Sequence, residues 1–214
     1  MAIRALALVL LIALTTNVRV AAHRLDEYLQ AARVGIGIDR VNLDIDLTPG
    51  VSIASNVAAW IDTNGDREIS TSESQAYGGQ VLRSVSLSVD GVTAPLQLID
   101  VQAPDVRQMA EGVGTIRLRA SAELPATASG RHHVNLINTH HPESSVYLAN
   151  ALVPADTTIR ILSQTRTRDQ HSVTIDYEIG MSRTWTRVSW LFAAATMLSM
   201  AAVTRRGLNR ARNR

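Results

Sequence analysis

The sequence predicts a mainly β chain: an immunoglobulin-like β-sandwich with an inserted helix–loop–helix, followed by one C-terminal transmembrane helix. Three observations carry this. Short runs alternate apolar and polar residues, the period of half-buried strands, with Gly, Pro, Asn or Asp turns between them. Between Pro49 and Arg83 the apolar spacing changes to that of a helix. Val188 to Thr204 is uncharged and apolar, and arginines follow it directly.

In chain order, residues 1–22 have the plan of a cleaved signal peptide: Arg4 near the start, an apolar run from Ala5 up to Thr15, and small residues at Ala21 and Ala22. The run is too short to span a bilayer comfortably. Cleavage after Ala22 would leave an extracytoplasmic, periplasmic domain over residues 23–182 that begins at His23.

Strand alternation then appears at Val41–Leu47 and Val85–Val89, the latter running into the hairpin signal Asp90-Gly91. It recurs at Thr115–Ala120, Val134–Ile137, Thr158–Leu162 and Val173–Tyr177. Seven or more strands at such spacing indicate a sandwich. The insert covers residues 50–84. Ile53, Val57, Trp60 and Ile61 share one helical face, and Tyr77, Val81 and Leu82 line a second helix that Gly78 and Gly79 weaken.

Ser182, Arg183 and Thr184 form a polar link to the expected membrane helix, residues 188–204. Trp185 and Trp190 stand at its leading edge as interfacial aromatics. Arg205, Arg206, Arg210, Arg212 and Arg214 make residues 205–214 a basic tail, which places the C-terminus in the cytoplasm of a single-pass cell-membrane protein.

This topology reinterprets the charge. The chain is +2 overall with a pI near 9.5. All 19 acidic residues nevertheless lie between His23 and Arg183, against thirteen arginines there, a net of −6. The basic excess belongs to targeting and topology, so nucleic acid is excluded as a partner. The chain has no cysteine, and a domain of roughly 160 residues is large enough to fold on its core alone.

The insert carries the clearest chemical motif. From Asp62 to Glu73, side-chain oxygens fall at loop positions 1, 3, 5, 9 and 12, supplied by Asp62, Asn64, Asp66, Ser70 and Glu73. Glu68 at position 7 would offer its backbone carbonyl, and Ile69 at position 8 would pin the loop to its neighbour. A hard cation needs six to eight oxygens, and this spacing supplies them with a bidentate Glu at the end, as in an EF-hand for Ca²⁺. Arg67 departs from the pattern at position 6, which wants Gly for a left-handed turn. A β-carbon there costs on the order of 1–2 kcal/mol. The expected site is therefore weak and structural, in the roughly 10⁻⁴–10⁻³ M range of extracellular modules. The metal-free alternative is a plain Asn64-Gly65-Asp66 turn followed by a Ser70/Glu73 capping box.

All six histidines lie in the exported part. His23, with a free α-amine after cleavage, would chelate Cu²⁺ or Ni²⁺. His132 and His133 are adjacent in a strand and point to opposite faces, so both cannot serve one site. His140-His141-Pro142 is a turn in which a ring could bind metal or cap a strand end. Asp44 and Asp46 share a strand face that solvation explains. There is no HExxH helix, nucleophile elbow or phosphate loop, and the sequence reads as that of a non-enzyme.

Three stretches carry a family likeness. The run from Ala22 to Gln30, Asp46–Gly50 before the acidic loop, and Asn138 to Leu152 together resemble an uncharacterised group of exported bacterial EF-hand-like proteins. They are also similar to the extracytoplasmic region of some HupE/UreJ-like nickel or cobalt permeases. The likeness implies a partner in the envelope, either a metal permease or another membrane protein. A single terminal span separates this chain from the permeases, which have several. The two functions these features imply are a membrane-anchored binding or interaction module with a structural calcium site, and an accessory for Ni, Co or Cu handling.

Overall fold

The computed structural model describes residues 26–125 and 128–180. The expected signal peptide, His23, the expected span 188–204 and the arginine tail lie outside the described residues. Among the described residues no helix is long and apolar enough to cross a membrane.

Among the described residues, ten strands and three helices follow one another. They are β1 (Tyr28–Ile36), β2 (Arg40–Pro49), α1 (Ala54–Ile61), α2 (Thr71–Arg83), β3 (Val85–Val89), β4 (Val92–Thr93) and β5 (Gln97–Gln102). Then come α3 (Val106–Ala110), β6 (Ile116–Glu123), β7 (Gly130–Asn138), β8 (Ser145–Ala151), β9 (Ile159–Arg166) and β10 (Ser172–Ile179). The chain is mainly β, as the alternation predicts. Two five-stranded sheets run β5-β6-β2-β1-β8 and β4-β3-β7-β10-β9. The β1–β8 pair is parallel and the other strand pairs are antiparallel.

Each sheet buries one face in a shared core. Leu43, Ile45, Leu47, Ile116 and Leu118 come from the first sheet, and Leu87, Val134, Leu136, Val173 and Ile175 from the second. This follows from the period-two pattern, because alternate side chains of a strand point to the same face. Asp90 (φ 51°) and Gly91 (φ 80°) are both left-handed, which closes the β3–β4 hairpin as their dipeptide predicts.

The inserted helices lie within the expected 50–84. Val57 and Ile61 of α1 and Tyr77 and Val81 of α2 enter the same core. Gly78, which weakens α2 by propensity, has a packing reason. A β-carbon on it would stand 2.3 Å from Val101 Cγ2 of β5, so only glycine lets helix and strand approach so closely.

β1, β5 and β8 are strands that the alternation did not reveal. In β1 the inward positions include Gln30 and the outward ones include Leu29, so the polarity pattern is inverted at its first turn of the pleat. β8 likewise turns Val146 and Leu148 outward. β5 is broken by a register shift between Leu98 and Asp100 and buries only Val101.

Candidate functional site

The loop Asp62–Glu73 joins α1 to α2, and the second helix starts at Thr71, loop position 10. Asp62 turns the chain: its Oδ1 accepts from the Gly65 amide (2.8 Å) and its Oδ2 from the Arg67 amide (2.9 Å). Asn64 Oδ1 accepts from the Asp66 amide (2.9 Å), and Asp66 Oδ1 from the Glu68 amide (2.8 Å). Asn64 Nδ2 also donates to Asp66 Oδ2 (2.9 Å). Arg67 takes φ 69°, the left-handed conformation that the position-6 glycine would supply, so the loop accepts the strain. Ile69 packs against the core, as position 8 requires.

Glu73 closes the loop. It is 8 % exposed, and both of its oxygens are engaged. Oε1 accepts from the amides of Thr63 (2.8 Å) and Asn64 (3.3 Å) and from Thr63 Oγ1 (3.1 Å). Oε2 accepts from the Ser70 amide (3.0 Å) and Ser70 Oγ (2.7 Å). Ser70 Oγ in turn accepts from the Glu73 amide, completing the capping box. The Ser70 hydroxyl and amide, then the Thr63 and Asn64 amides, hold the Glu73 carboxyl down at about 2. Among the described residues, no three His, Asp or Glu side chains are gathered so that they could hold a metal ion. The loop's carboxylates are taken up by N–H groups of the loop itself.

One turn along α2 from Glu73, Tyr77 enters a second polar cluster, this one buried. Tyr77 Oη lies 2.7 Å from Tyr28 Oη and 3.1 Å from His140 Nε2. Gln30 Nε2 donates to the His140 carbonyl (2.7 Å) and to Ser145 Oγ (2.6 Å), while its Oε1 accepts from Asn138 Nδ2 (2.8 Å). Asn138 Oδ1 accepts from the His140 amide (3.0 Å), and Tyr147 Oη donates to the His140 carbonyl (2.8 Å). Burial, with a smaller contribution from His141, pushes the His140 ring down to about 4, so it is neutral at neutral pH. Burial also raises Tyr77 to about 12 and Tyr28 well above its ordinary value, so both hydroxyls keep their protons. A neutral His140 accepting from Tyr77 leaves Tyr77 Oη to accept from Tyr28, a consistent direction for the chain of bonds.

His141 (φ 48°) turns outward and stacks on Trp60 of α1, with ring centroids 3.9 Å apart and planes 4° from parallel. The His140-His141 turn therefore caps the strand end and clamps both inserted helices to the sheets. Sequence reasoning found the turn but missed Tyr28, Gln30, Tyr77, Asn138 and Tyr147 as its partners. The available signal was Gln30, a polar residue at inward parity in a strand.

The remaining histidines lie elsewhere. His132 and His133 correct an expectation: their rings do point to opposite sides of β7, yet both reach one carboxylate. His132 Nδ1 is 2.7 Å from Asp90 Oδ2, and His133 Nδ1 is 3.3 Å from Asp90 Oδ1. Asp90 stands in the β3–β4 hairpin turn beside His133, whose carbonyl accepts from the Asp90 amide (2.9 Å). His132 Nε2 also lies 2.9 Å from the Ala128 carbonyl, so both ring nitrogens face acceptors. The hydrogen bond to Asp90 is the largest cause raising its pKa. Asp46 pairs with Arg33 at 2.8 Å on the outer sheet face. Comparison with family models, curated proteins and solved structures finds no match to this chain.

Proposed function

We propose that this chain is a membrane-anchored extracytoplasmic interaction module on an immunoglobulin-like sandwich, whose inserted loop takes Ca²⁺ as a structural ion. The fold reading is supported by strand order. β1-β2-β6-β5 and β4-β3-β7-β10 match the A-B-E-D and C′-C-F-G sheets of that architecture if β8 and β9 are an excursion between the last two strands. Each inserted strand then extends one sheet.

The observation that carries the calcium reading is the bend of the Asp62–Glu73 loop, with Arg67 at φ 69° and α2 beginning at position 10. Asp62, Asn64, Asp66, Ser70 and Glu73, with the Glu68 carbonyl, would hold the ion. Its chemistry there is a cross-link between the loop ends that Glu73 otherwise makes through Thr63, Asn64 and Ser70. For this the Glu73 carboxylate must exchange N–H donors for the cation, which is a further reason to expect millimolar affinity. An exported location would expose the loop to calcium in that range. The envelope partner, a metal permease or another membrane protein, follows from the sequence likeness. The transition-metal alternative rests on His23, which lies outside the described residues.

Isothermal titration of the purified exported domain with Ca²⁺ tests the proposal. Heat that saturates at millimolar calcium and is absent for Mg²⁺ at the same concentration is the expected result. No heat with either ion contradicts it.

A further inference from the structure

The two ends of the β9–β10 hairpin differ in chemistry. At one end the turn reads Thr167-Arg168-Asp169-Gln170, polar and exposed. At the other, β10 finishes at Ile179, and the Gly180 amide donates to the Thr158 carbonyl (2.7 Å), where the described residues end. Thr158 belongs to the β8–β9 connection, which also carries Leu152 and Val153. Val153 is 92 % exposed and Leu152 40 %, and Ile38 in the β1–β2 turn is 42 % exposed. These three line one shallow concavity of about 780 Å³. Single exposed aliphatic residues are ordinary; these three share one concavity, whose lining also includes Asp39, Arg40, Asp44, Arg119 and Asp156.

Seven residues separate Gly180 from Val188. Fully extended, such a link reaches about 25–29 Å. On the anchored reading, which this inference rests on, the Gly180 end of the domain cannot move far from the bilayer. A short tether of this kind holds that end at a high effective concentration near the surface. We propose that this end of the sandwich rests on the lipid surface, with Ile38, Leu152 and Val153 entering the boundary between headgroups and acyl chains. The charges in the same loops are mixed (Asp39, Arg40 and Asp156), so anionic lipid is not required.

The absence of cysteine makes the test direct, because one introduced cysteine labels one position. The full chain is reconstituted in phosphatidylcholine vesicles with an environment-sensitive fluorophore at Val153→Cys, at Ile38→Cys, or at Arg168→Cys in the opposite turn. Blue-shifted emission from Val153→Cys and Ile38→Cys, quenched by a nitroxide placed shallow in the acyl chain, is expected, with Arg168→Cys remaining solvent-like. If the chain floats with the vesicles and resists carbonate extraction while all three positions stay solvent-like, the docking is wrong and the anchor stands. If carbonate strips the chain from the vesicles, the anchor reading and the docking fall together.

Discussion

The exposed loop and the buried corner fix the same helix by opposite means. At the start of α2, the Glu73 carboxylate stays charged because five donors surround it. One turn later, Tyr77 belongs to a network that works because its members stay neutral. A charged group with abundant donors can exchange them for a cation, whereas a neutral buried network has nothing to exchange. On the proposed calcium reading, the exchangeable loop would take the ion, while the neutral corner would supply rigidity.

Removing Gln30 should have the largest effect. It is 1 % exposed, and Gln30→Ala would orphan the Asn138 amide and take donors from the His140 carbonyl and Ser145 hydroxyl. With the cavity added, the expected loss is about 3–5 kcal/mol in urea unfolding. A loss near zero would mean that the corner does not hold the helices.

Acid should separate the regions next. His140 has a folded pKa of about 4, below its ordinary 6.5. Its contribution is therefore complete above pH 6.5 and is lost as pH falls toward 4, a change on the order of 3 kcal/mol. Glu73 is also depressed, from 4.5 to about 2, so its contribution is complete above 4.5 and is lost as pH falls through 2. Stability measured against pH should thus fall in two windows. Glu73→Gln should shrink the lower one and leave the upper one in place, because Asp90, Asp100, Glu143 and Glu178 are also held below the usual carboxylate range and keep the rest. A single transition below pH 4.5 would contradict the neutral His140.

Smaller changes sharpen the loop half. Ser70→Ala should cost about 1 kcal/mol through the lost cap, and Glu73→Gln should cost more, since it removes the acceptor for donors at both loop ends. Arg67→Gly relieves the left-handed strain but loosens the unfolded chain, for a net gain of about 0.5 kcal/mol. Thermal melts of the three variants give the order directly.

The strands with inward apolar residues were legible, as was the Asp90-Gly91 hairpin. So were the helix faces, because Val57 and Ile61, or Tyr77 and Val81, repeat at helical spacing. The cap at Ser70 and Glu73 was also readable, since both partners lie three residues apart. The corner was not. Its bonds join Gln30 of one sheet to Asn138 of the other and Tyr28 of a strand to Tyr77 of a helix, pairs that only the packing of the two sheets and of α2 against them brings together. β1 and β8 stayed hidden because Leu29, Val146 and Leu148 face solvent while Gln30 faces the core. The occupation of Glu73 by amides was equally out of reach, because spacing shows which oxygens a loop has and not which donors already use them.

The claim that Glu73 is the exchangeable tie has a direct test: the melting temperature of the domain of residues 23–182 and of its Glu73→Gln variant, each without calcium and in 10 mM calcium. At a dissociation constant of roughly 10⁻³ M, binding should stabilise the wild-type domain by about 1.4 kcal/mol, or about 3–5 °C, and leave the variant unmoved. Equal shifts in both proteins, or none in either, would contradict the account.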